Sequence, residues 1–358
     1  MFAVLATGGT GGHTYPALAL AQELVDRGHP RDSIRFVGGR RGLEGRVVPE
    51  AGFAIDLLPG RGLQRRMTIE NVRTVLDAVV AMVRAILIVR RLRPQVVVGF
   101  GGYASLPCVV AARVLRVPTL VHEQDAAPGL ANRIATRLGA TPAVSLPGTP
   151  LPGATVTGNP VRAEIRAVRR APATPPIVAL FGGSLGARTI NDAALELYDR
   201  WRGRADVRVH HVCGARNFDE CERRLADLRN PDDALDYTLS PYEPEMHQLY
   251  ARSTIAVCRA GAGTIAEVTT AGLPTVLVPL PGAPSDHQTH NARTLESAGA
   301  AVLLTDERCT GAQLDEICSR LLADPARVEE MAAAARALAR PDAVVHLADF
   351  VEGRARAA

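Results

Sequence analysis

The chain has 358 residues, 47% of them hydrophobic and 22% charged, which is typical of a globular protein of about two domains. Its net charge of only +4 does not indicate nucleic-acid binding, so we expect no nucleic-acid partner. All 41 basic residues are arginine, which excludes lysine nucleophiles and Schiff-base chemistry.

The six cysteines lie far apart and form no C-x-x-C pair. This spacing argues against a metal cluster and favours reduced, buried thiols of the kind found in the cytoplasm. The N-terminus lacks a secretory signal pattern, and no apolar run approaches the roughly 20 residues of a membrane span. We therefore expect a cytoplasmic protein that can still contact a membrane peripherally.

The first predicted βα unit contains a glycine-rich turn. Residues 2–6 form an apolar run typical of a buried strand, residues 8–12 contain four glycines, and residues 16–24 have helical apolar spacing. A turn of this kind before a helix presents backbone N–H groups and the positive end of the helix dipole to an anion. The alternative is a tight turn that binds no ligand.

The rest of the first half alternates between predicted strands and helices. Strands are predicted at 34–37, 53–58, 96–98 and 119–121, a long helix at 68–92, and a second glycine turn at 99–105. Such alternation predicts a parallel sheet with ligands at the carboxyl ends of its strands. The last of these strands leads into His122, Glu123, Gln124 and Asp125.

The second half repeats this pattern after a segment rich in proline and glycine at 142–160, which we interpret as the interdomain linker. A strand at 177–181 precedes a glycine turn at 182–187, and a strand at 254–258 precedes another at 259–264. The repeat predicts an α/β fold of two doubly wound parallel-sheet domains, 1–157 and 158–340, that face each other across a ligand-binding cleft.

The motifs of the common nucleotide-binding sites are missing. The first turn lacks the spacing G-x-G-x-x-G with an acidic residue on the second strand, which disfavours an NAD site. The absence of G-x-x-x-x-G-K-[ST] disfavours a P-loop nucleotide hydrolase. The sequence also contains no Asp-x-Asp pair, which could hold a metal–diphosphate. We therefore expect no cofactor and no metal, with phosphates neutralised by N–H groups and arginine. Arg162 and Ser184 are candidates for this role, and Glu267 could accept hydrogen bonds from a ribose diol.

Six ordered motifs resemble a known family over nearly the whole chain. They are GGTGGH from Gly8, GFGGYAS from Gly99, HEQ from His122, GNPVR from Gly158, GGSLGAR from Gly182, and HQ with NA from His287. Together they resemble the MurG family of peptidoglycan N-acetylglucosaminyltransferases. The resemblance implies a GT-B fold, UDP-GlcNAc as donor, the undecaprenyl-linked lipid I (undecaprenyl-diphosphoryl-MurNAc-pentapeptide) as acceptor, and a C-terminal helix at 341–358 packing back on the first domain.

The resemblance also implies the substrate contacts. The matching positions for UDP-GlcNAc are Thr10, Gly11, Gly12, Arg162, Ser184, Ala262, Gly263, Thr264, Ile265, Ala266, Glu267 and Gln288. Two further predicted contacts depart from the family pattern. Asp125 stands where the family has asparagine, so a donor becomes a carboxylate that only accepts. Glu243 stands where the family often has an apolar residue against uracil.

The implied reaction is an inverting displacement in which the acceptor's C4 hydroxyl attacks C1 of GlcNAc and UDP leaves. We predict His13 as the general base, because imidazole titrates near working pH. His13 could instead cap the turn or bind acceptor phosphate. Glu123 is the rival base, or else a buried structural carboxylate.

Arginines around the apolar segment 75–89 predict contact with the anionic inner membrane leaflet. We expect residues 63–67 to touch lipid and most of the long helix to be buried. Two other functions stay open: a UDP-GlcNAc 2-epimerase of the same architecture, and a non-catalytic sugar-nucleotide-binding protein.

Overall fold

The computed structural model describes residues 1–9, 11–40, 42–59, 70–183 and 185–355, and of residues 70–76 only the backbone. Thr10, Ser184 and the predicted lipid-contacting residues 63–67 lie outside the described residues. Contacts divide the chain into two units. Unit 1 is Met1–Val161 with Arg340–Ala358, and unit 2 is Arg162–Ala339. The predicted domain limits at 157 and 340 stay a prediction.

Unit 1 is built on a parallel sheet of seven strands in the order β3-β2-β1-β4-β5-β6-β7. The strands are β1 Ala3–Ala6, β2 Ile34–Gly39, β3 Ala54–Leu58, β4 Val96–Gly99, β5 Thr119–Glu123, β6 Thr141–Val144 and β7 Thr155–Val156. The central strands β1 and β4 are buried along their whole length, as expected for short apolar runs covered on both faces. The strand order reverses between them, and ligands bind at such a switch point in open α/β sheets.

In the described part of unit 1, six helices cover this sheet. They are α1 Gly11–Asp26, α2 Glu44–Glu50, α3 Glu70–Leu92, α4 Ser105–Val114, α5 Leu130–Arg137 and, from the C-terminal segment, α14 Ala343–Glu352. Helix α14 contributes Leu347, Ala348 and Val351 to the core formed by β1 and α1. Three of its polar contacts go to the residue that directly follows α1, because Arg27 donates to Asp349, Glu352 and the carbonyl of Val345.

The segment interpreted as a linker contains two strands instead. β6 pairs with β5 through Pro142 opposite Val121, and β7 pairs with β6 at Ala143 and Val144. Proline and glycine between secondary-structure elements usually mark loops. Here the strand β6 has only four residues, one of them Pro142, so its apolar pattern does not stand out from the prolines and glycines that surround it.

Helix α3 exposes an apolar stripe, which corrects the expectation that most of it is buried. Val79, Val83 and Leu87 are 56%, 52% and 59% exposed, whereas Ala85 and Val89 on another face are buried. Residues three to four positions apart share one helix face. The sequence is apolar on more than one face, so spacing alone did not reveal which face is covered by the rest of unit 1.

Unit 2 contains a second parallel sheet of six strands in the order β10-β9-β8-β11-β12-β13. The strands are β8 Ile177–Phe181, β9 Arg208–Val212, β10 Asp236–Ser240, β11 Ser253–Cys258, β12 Thr275–Leu277 and β13 Ala301–Leu303. Its helices are α6 Ala163–Arg166, α7 Arg188–Trp201, α8 Phe218–Leu228, α9 Met246–Arg252, α10 Ala262–Ala271, α11 His287–Ser297, α12 Gly311–Leu322 and α13 Pro325–Leu338. The order reverses between β8 and β11, which places the second pair of glycine turns at this switch point.

Candidate active site

The turn after β11 leads directly into α10 and forms an open helix N-terminus. Gly261 precedes the helix in extended conformation, and the first helical residues are Ala262 and Gly263. A Cβ atom added at Gly261 or Gly263 would meet nothing within 4 Å. The first amides of a helix have no intrahelical partner, so this surface can receive an anion. Ile265 is buried, and its side chain offers no surface to a ligand.

Glu267 lies one turn further along α10, beyond the half-buried Thr264 and Ala266. The Tyr250 hydroxyl donates to its Oε2 at 2.9 Å, and Arg162 Nη2 lies 3.5 Å from its Oε1. Burial raises the pKa of Glu267, while Arg162 and Tyr250 act to lower it. The long contact to Arg162 leaves Oε1 able to accept a hydrogen bond from a ligand hydroxyl.

Gln288 joins two of the turns at this end of the sheet. Its Oε1 accepts hydrogen bonds from the amides of Ala260 and Leu280 at 3.2 and 3.0 Å. Because both partners are N–H donors, the side-chain oxygen must point towards them. The NH₂ group of Gln288 has no hydrogen-bond partner within the described part of the chain, which leaves it available as a donor.

The glycine turn after β8 is held against the turn after β9. A Cβ atom at Gly186 would lie 2.0 Å from the carbonyl oxygen of Cys213, and Gly186 has a φ of +74°. Asn191 is buried and donates to the same carbonyl at 3.0 Å. The backbone of this turn therefore has little freedom. Gly183 in the same turn has nothing within 4 Å of its Cβ position, so this part of the turn is open.

Glu243 makes its contacts at the other side of the sheet. Its Oε2 lies 3.5 Å from Nε2 of His210 on β9, and its Oε1 accepts from the amide of Glu245 at 2.9 Å. Burial lowers the pKa of His210, and Glu243 partly offsets this. No contact described for unit 2 joins the Glu243 side chain to Glu267 or Gln288.

In unit 1 the turns after β1 and β4 surround His13. Its Nδ1 lies 2.9 Å from the carbonyl oxygen of Gly8, and a carbonyl can only accept, so Nδ1 carries the proton. A Cβ atom at Gly101 would lie 3.2 Å from Nε2 of His13, which places the ring against the turn after β4. In the neutral ring Nε2 is then the basic nitrogen. Gly11 and Gly12 begin the same helix, with Gly12 exposed.

These two turns interlock through a position that requires glycine. Gly102 has a φ of +79°, and a Cβ atom there would lie 2.2 Å from the carbonyl oxygen of Gly8. Both the backbone conformation and the close approach exclude other residues at Gly102. The resulting packing fixes the carbonyl group that accepts from His13.

Glu123 is occupied by the turn that follows β5. Its carboxylate accepts from the amides of Asp125 and Gly129 at 3.1 and 2.9 Å, and from Nδ2 of Asn132 at 2.9 Å. Burial raises the pKa of Glu123, and these three donors lower it. Both oxygens are engaged, so the arrangement suits a carboxylate that shapes the turn carrying Asp125.

His122 fixes the segment that leads into Arg162. Its Nε2 donates to the carbonyl of Gly158 at 2.9 Å, and its Nδ1 accepts from Gln124 at 3.0 Å. Burial lowers the pKa of His122 to about 4, so the ring is neutral near pH 7. It has a structural role at the end of β5.

Three residues of these networks were missed by sequence reasoning. Tyr250, Asn132 and Glu44 hold the candidate residues in place, yet none belongs to a glycine motif or a recognisable spacing. A glutamate two residues after a glycine was the only signal for Glu44.

Two family models match the chain. The glycosyltransferase family 28 N-terminal domain matches residues 3–141, and the C-terminal domain of that family matches residues 177–347. The Acinetobacter baumannii MurG crystal structure is similar over 99% of this chain and 100% of its own, with a TM-score of 0.81 and 29% identity.

Two relatives carry the name UDP-N-acetylglucosamine--N-acetylmuramyl-(pentapeptide) pyrophosphoryl-undecaprenol N-acetylglucosamine transferase. The one from Desulforudis audaxviator is 38% identical over 98% of this chain and 98% of its own. The one from Xanthomonas campestris is 40% identical over 97% of this chain and 81% of its own. The chain belongs to the MurG family of glycosyltransferases.

Membership of the MurG family confirms the predicted family and the GT-B class of fold, with one parallel sheet in each unit. The individual site residues stay predictions. No described helix is long and apolar enough to cross a membrane. The described side chains also contain no group of three His, Cys, Asp or Glu placed to hold a metal ion.

Proposed function

We propose that this MurG-family enzyme transfers GlcNAc from UDP-GlcNAc to the C4 hydroxyl of undecaprenyl-diphosphoryl-MurNAc-pentapeptide. The names of two relatives support this reaction, because these relatives are 38% and 40% identical to this chain over nearly its whole length. The observation in this chain that carries the proposal is the open N-terminus of α10, with Glu267 one turn behind it.

The donor contacts follow from that geometry. The first amides of α10, at Ala262 and Gly263, take the diphosphate, where the helix dipole and Arg162 offset its charge. Glu267 accepts hydrogen bonds from the ribose hydroxyls, and the NH₂ group of Gln288 donates a hydrogen bond to UDP-GlcNAc. As UDP leaves, the same amides and guanidinium stabilise the negative charge that develops on it.

His13 acts as the general base. The acceptor oxygen forms its bond to C1 of GlcNAc while the bond from C1 to the UDP oxygen breaks. The hydroxyl proton passes to Nε2 of His13, and UDP keeps the electron pair. The protonation of Nδ1 supports this role, because it leaves Nε2 as the proton acceptor. Glu123 is the weaker candidate, since three donors already occupy its carboxylate.

The decisive experiment is transfer of labelled GlcNAc to a short-chain lipid I analogue. We expect labelled disaccharide product with the wild type, and a fall of about 10²–10⁴ in kcat for His13→Gln. Incubation with UDP-GlcNAc alone separates the alternatives. Appearance of UDP-ManNAc would identify an epimerase, and binding without turnover would identify a non-catalytic protein.

We further propose that α3 binds the anionic inner leaflet from the cytoplasmic side. The exposed side chains of Val79, Val83 and Leu87 form the stripe that would enter the interface. Arg84 and Arg90 on the same helix are exposed and would contact lipid phosphates, at about 1 kcal/mol each. An apolar stripe with basic neighbours is typical of interfacial helices.

Sedimentation with vesicles containing anionic lipid tests this surface. We expect Val83→Asp to reduce the bound fraction severalfold. Val156→Asp, at an exposed position on β7, serves as the matched control and should bind normally. Equal binding of both variants would reject α3 as the membrane surface.

A further inference from the structure

One peptide group in the turn after β1 is hydrogen-bonded on both sides. Its carbonyl oxygen, which belongs to Gly8, lies 2.9 Å from Nδ1 of His13. Its N–H group, which belongs to Gly9, donates to Oε1 of Glu44 at 3.3 Å. The imidazole and the carboxylate are therefore connected through a single planar, polarisable unit.

Glu44 sits in a space formed by glycines. It is the first residue of α2 and is fully buried, and its Oε1 also accepts from the amide of Gly39 at 2.8 Å. A Cβ atom at Gly42 would lie 1.8 Å from Oε2 of Glu44, and one at Gly38 would lie 2.5 Å from its Cγ. Side chains at Gly38 and Gly42 would displace the carboxylate.

One of the two carboxylate oxygens of Glu44 is buried without a hydrogen bond from the described part of the fold. Its Oε2 is buried and has no hydrogen-bond partner there. Leaving a buried polar atom unpaired costs free energy of folding, although the N-terminus of α2 offsets part of this cost. An apolar residue would avoid that cost, so the carboxylate calls for an explanation beyond stability.

We propose that Glu44 is a positioning residue that acts on His13 through the Gly8–Gly9 peptide group. This inference rests on the proposed role of His13 as the base. Hydrogen bonds in a chain polarise one another, so the carboxylate makes the Gly8 carbonyl a stronger acceptor for Nδ1–H. It thereby fixes the ring and its tautomer, in the way that a carboxylate bonded directly to a catalytic histidine does.

The same chain supports the charge that develops during the reaction. When Nε2 takes the proton from the acceptor hydroxyl, His13 becomes an imidazolium, and the negative charge of Glu44 stabilises it. No proton moves to Glu44, because the peptide N–H stays on Gly9 throughout. The carboxylate thus makes His13 a better base without touching either substrate.

Other ionisable groups near this loop must be considered. Within the described residues, the elements around it carry Tyr15 on α1, Tyr103 after β4, Glu123 at the end of β5 and Asp125 after it. Arg27, which is hydrogen-bonded to α14, lies 14 residues beyond His13, directly after the end of α1 and about 21 Å away. Of these groups and Glu44, it is Glu44 whose carboxylate accepts from the peptide that His13 contacts.

Nitrogen-15 NMR of the histidine rings provides the first test, with His13→Gln used to assign the His13 signals. In the wild type we expect Nδ1 protonated and Nε2 unprotonated at neutral pH. In Glu44→Gln, which keeps the size and an acceptor oxygen but removes the charge, we expect the pKa of His13 to fall by at least about half a unit. An Nε2–H tautomer in the wild type would overturn the proposal even without the variant.

Kinetics provide the second test. For Glu44→Gln we expect kcat to fall about tenfold and the acid limb of the kcat/KM profile to move to lower pH, with KM for UDP-GlcNAc unchanged. Glu50→Gln is the matched control, because Glu50 lies on the same helix with its side chain 61% exposed. A Glu44→Gln profile identical to the wild type would overturn the proposal.

The two hypotheses fail in different ways. If His13→Gln keeps full transferase activity, His13 is not the base. The NMR titration then still reports whether Glu44 controls the His13 ring. If His13→Gln is inactive but Glu44→Gln leaves the pKa of His13 unchanged, the assignment of His13 as the base stands and the proposed role of Glu44 is rejected.

Discussion

The glycines of this protein have different physical roles, which only the surrounding atoms distinguish. At Gly186 an added Cβ atom would lie 2.0 Å from a carbonyl oxygen, so this glycine is required for packing. At Gly263 the same atom would meet open space. Since Gly263 is helical and uncrowded, no property of the free protein requires a glycine there. A ligand that approaches the backbone closely would explain it.

We predict that Gly263→Ala weakens donor binding without harming stability. The methyl group would lie where the diphosphate approaches the first amides of α10, so KM for UDP-GlcNAc should rise about tenfold, or roughly 1.4 kcal/mol. The melting temperature should stay the same or rise, because alanine favours a helix by up to about 1 kcal/mol. Steady-state kinetics and thermal unfolding measure the two effects.

Gly203→Ala is the control for this variant. Gly203 also lies in unit 2 with nothing within 4 Å of its Cβ position, but it follows α7, away from the predicted donor contacts. It should leave KM unchanged. An unchanged KM in Gly263→Ala as well would show that the N-terminus of α10 does not contact the donor.

At the scale of elements, buried histidines connect strands to segments that are distant in the sequence. His122 joins the end of β5 to Gly158, and His211 on β9 joins Asn191 and Tyr237 at 3.0 and 2.9 Å. Burial lowers the pKa of His122 to about 4 and that of His211 to about 3. Each ring must stay neutral to keep its hydrogen bonds.

This predicts a specific acid sensitivity. An unfolded histidine has a pKa near 6.5, so below that pH the unfolded chain binds more protons than the folded one. The stabilisation from His122 is complete above about pH 6.5 and is lost as the pH falls towards 4, by at most about 3 kcal/mol. The melting temperature should therefore drop between pH 7.5 and pH 5.

His122→Gln isolates this contribution. The amide can donate to the Gly158 carbonyl but does not titrate, so the variant should lose less melting temperature between the two pH values than the wild type. Equal losses would mean that other groups cause the acid sensitivity.

At the scale of the whole molecule, the last helix belongs to unit 1 although unit 2 precedes it in the chain. Helix α14 places Leu347 in the core with β1 and α1, and Glu352 pairs with Arg27 and His29 at 2.8 Å each. Since α1 carries the first glycine turn at its N-terminus, the C-terminal segment stabilises a helix of the candidate site.

We predict that Leu347→Ala destabilises unit 1 by about 2–5 kcal/mol, because it leaves a cavity in a fully buried position. Val345→Ala, on the half-exposed side of the same helix, is the control and should cost little. Thermal unfolding monitored in the absence and presence of UDP separates the units. The loss should persist with UDP bound, because UDP stabilises unit 2 only. A loss equal to that of the control would show that α14 is dispensable.

Much of the fold was readable because its signals are local. The strands β1, β4, β8 and β11 are short apolar runs that end in glycine turns, and each was predicted. The strand β10 was missed because its residues mix polar and apolar types, and β13 was missed because it is only three residues long. Pairing with a neighbour makes each of them a strand. Which face of α3 is exposed likewise depends on how the rest of unit 1 packs against the helix.

The sequence by itself determined the alternation of strands and helices, the family, and the glycine turns that begin α1 and α10. These features depend on neighbours in the chain, where backbone geometry and apolar spacing act directly. Tertiary structure alone decided that Glu123 shapes a turn, that Tyr250 and Arg162 hold Glu267, and that Glu44 reaches the peptide bonded to His13. These contacts of Glu267 and Glu44 join residues 17 to 105 positions apart, and those of Glu123 join residues 2 to 9 positions apart. No spacing rule encodes these contacts, because packing brings the residues together.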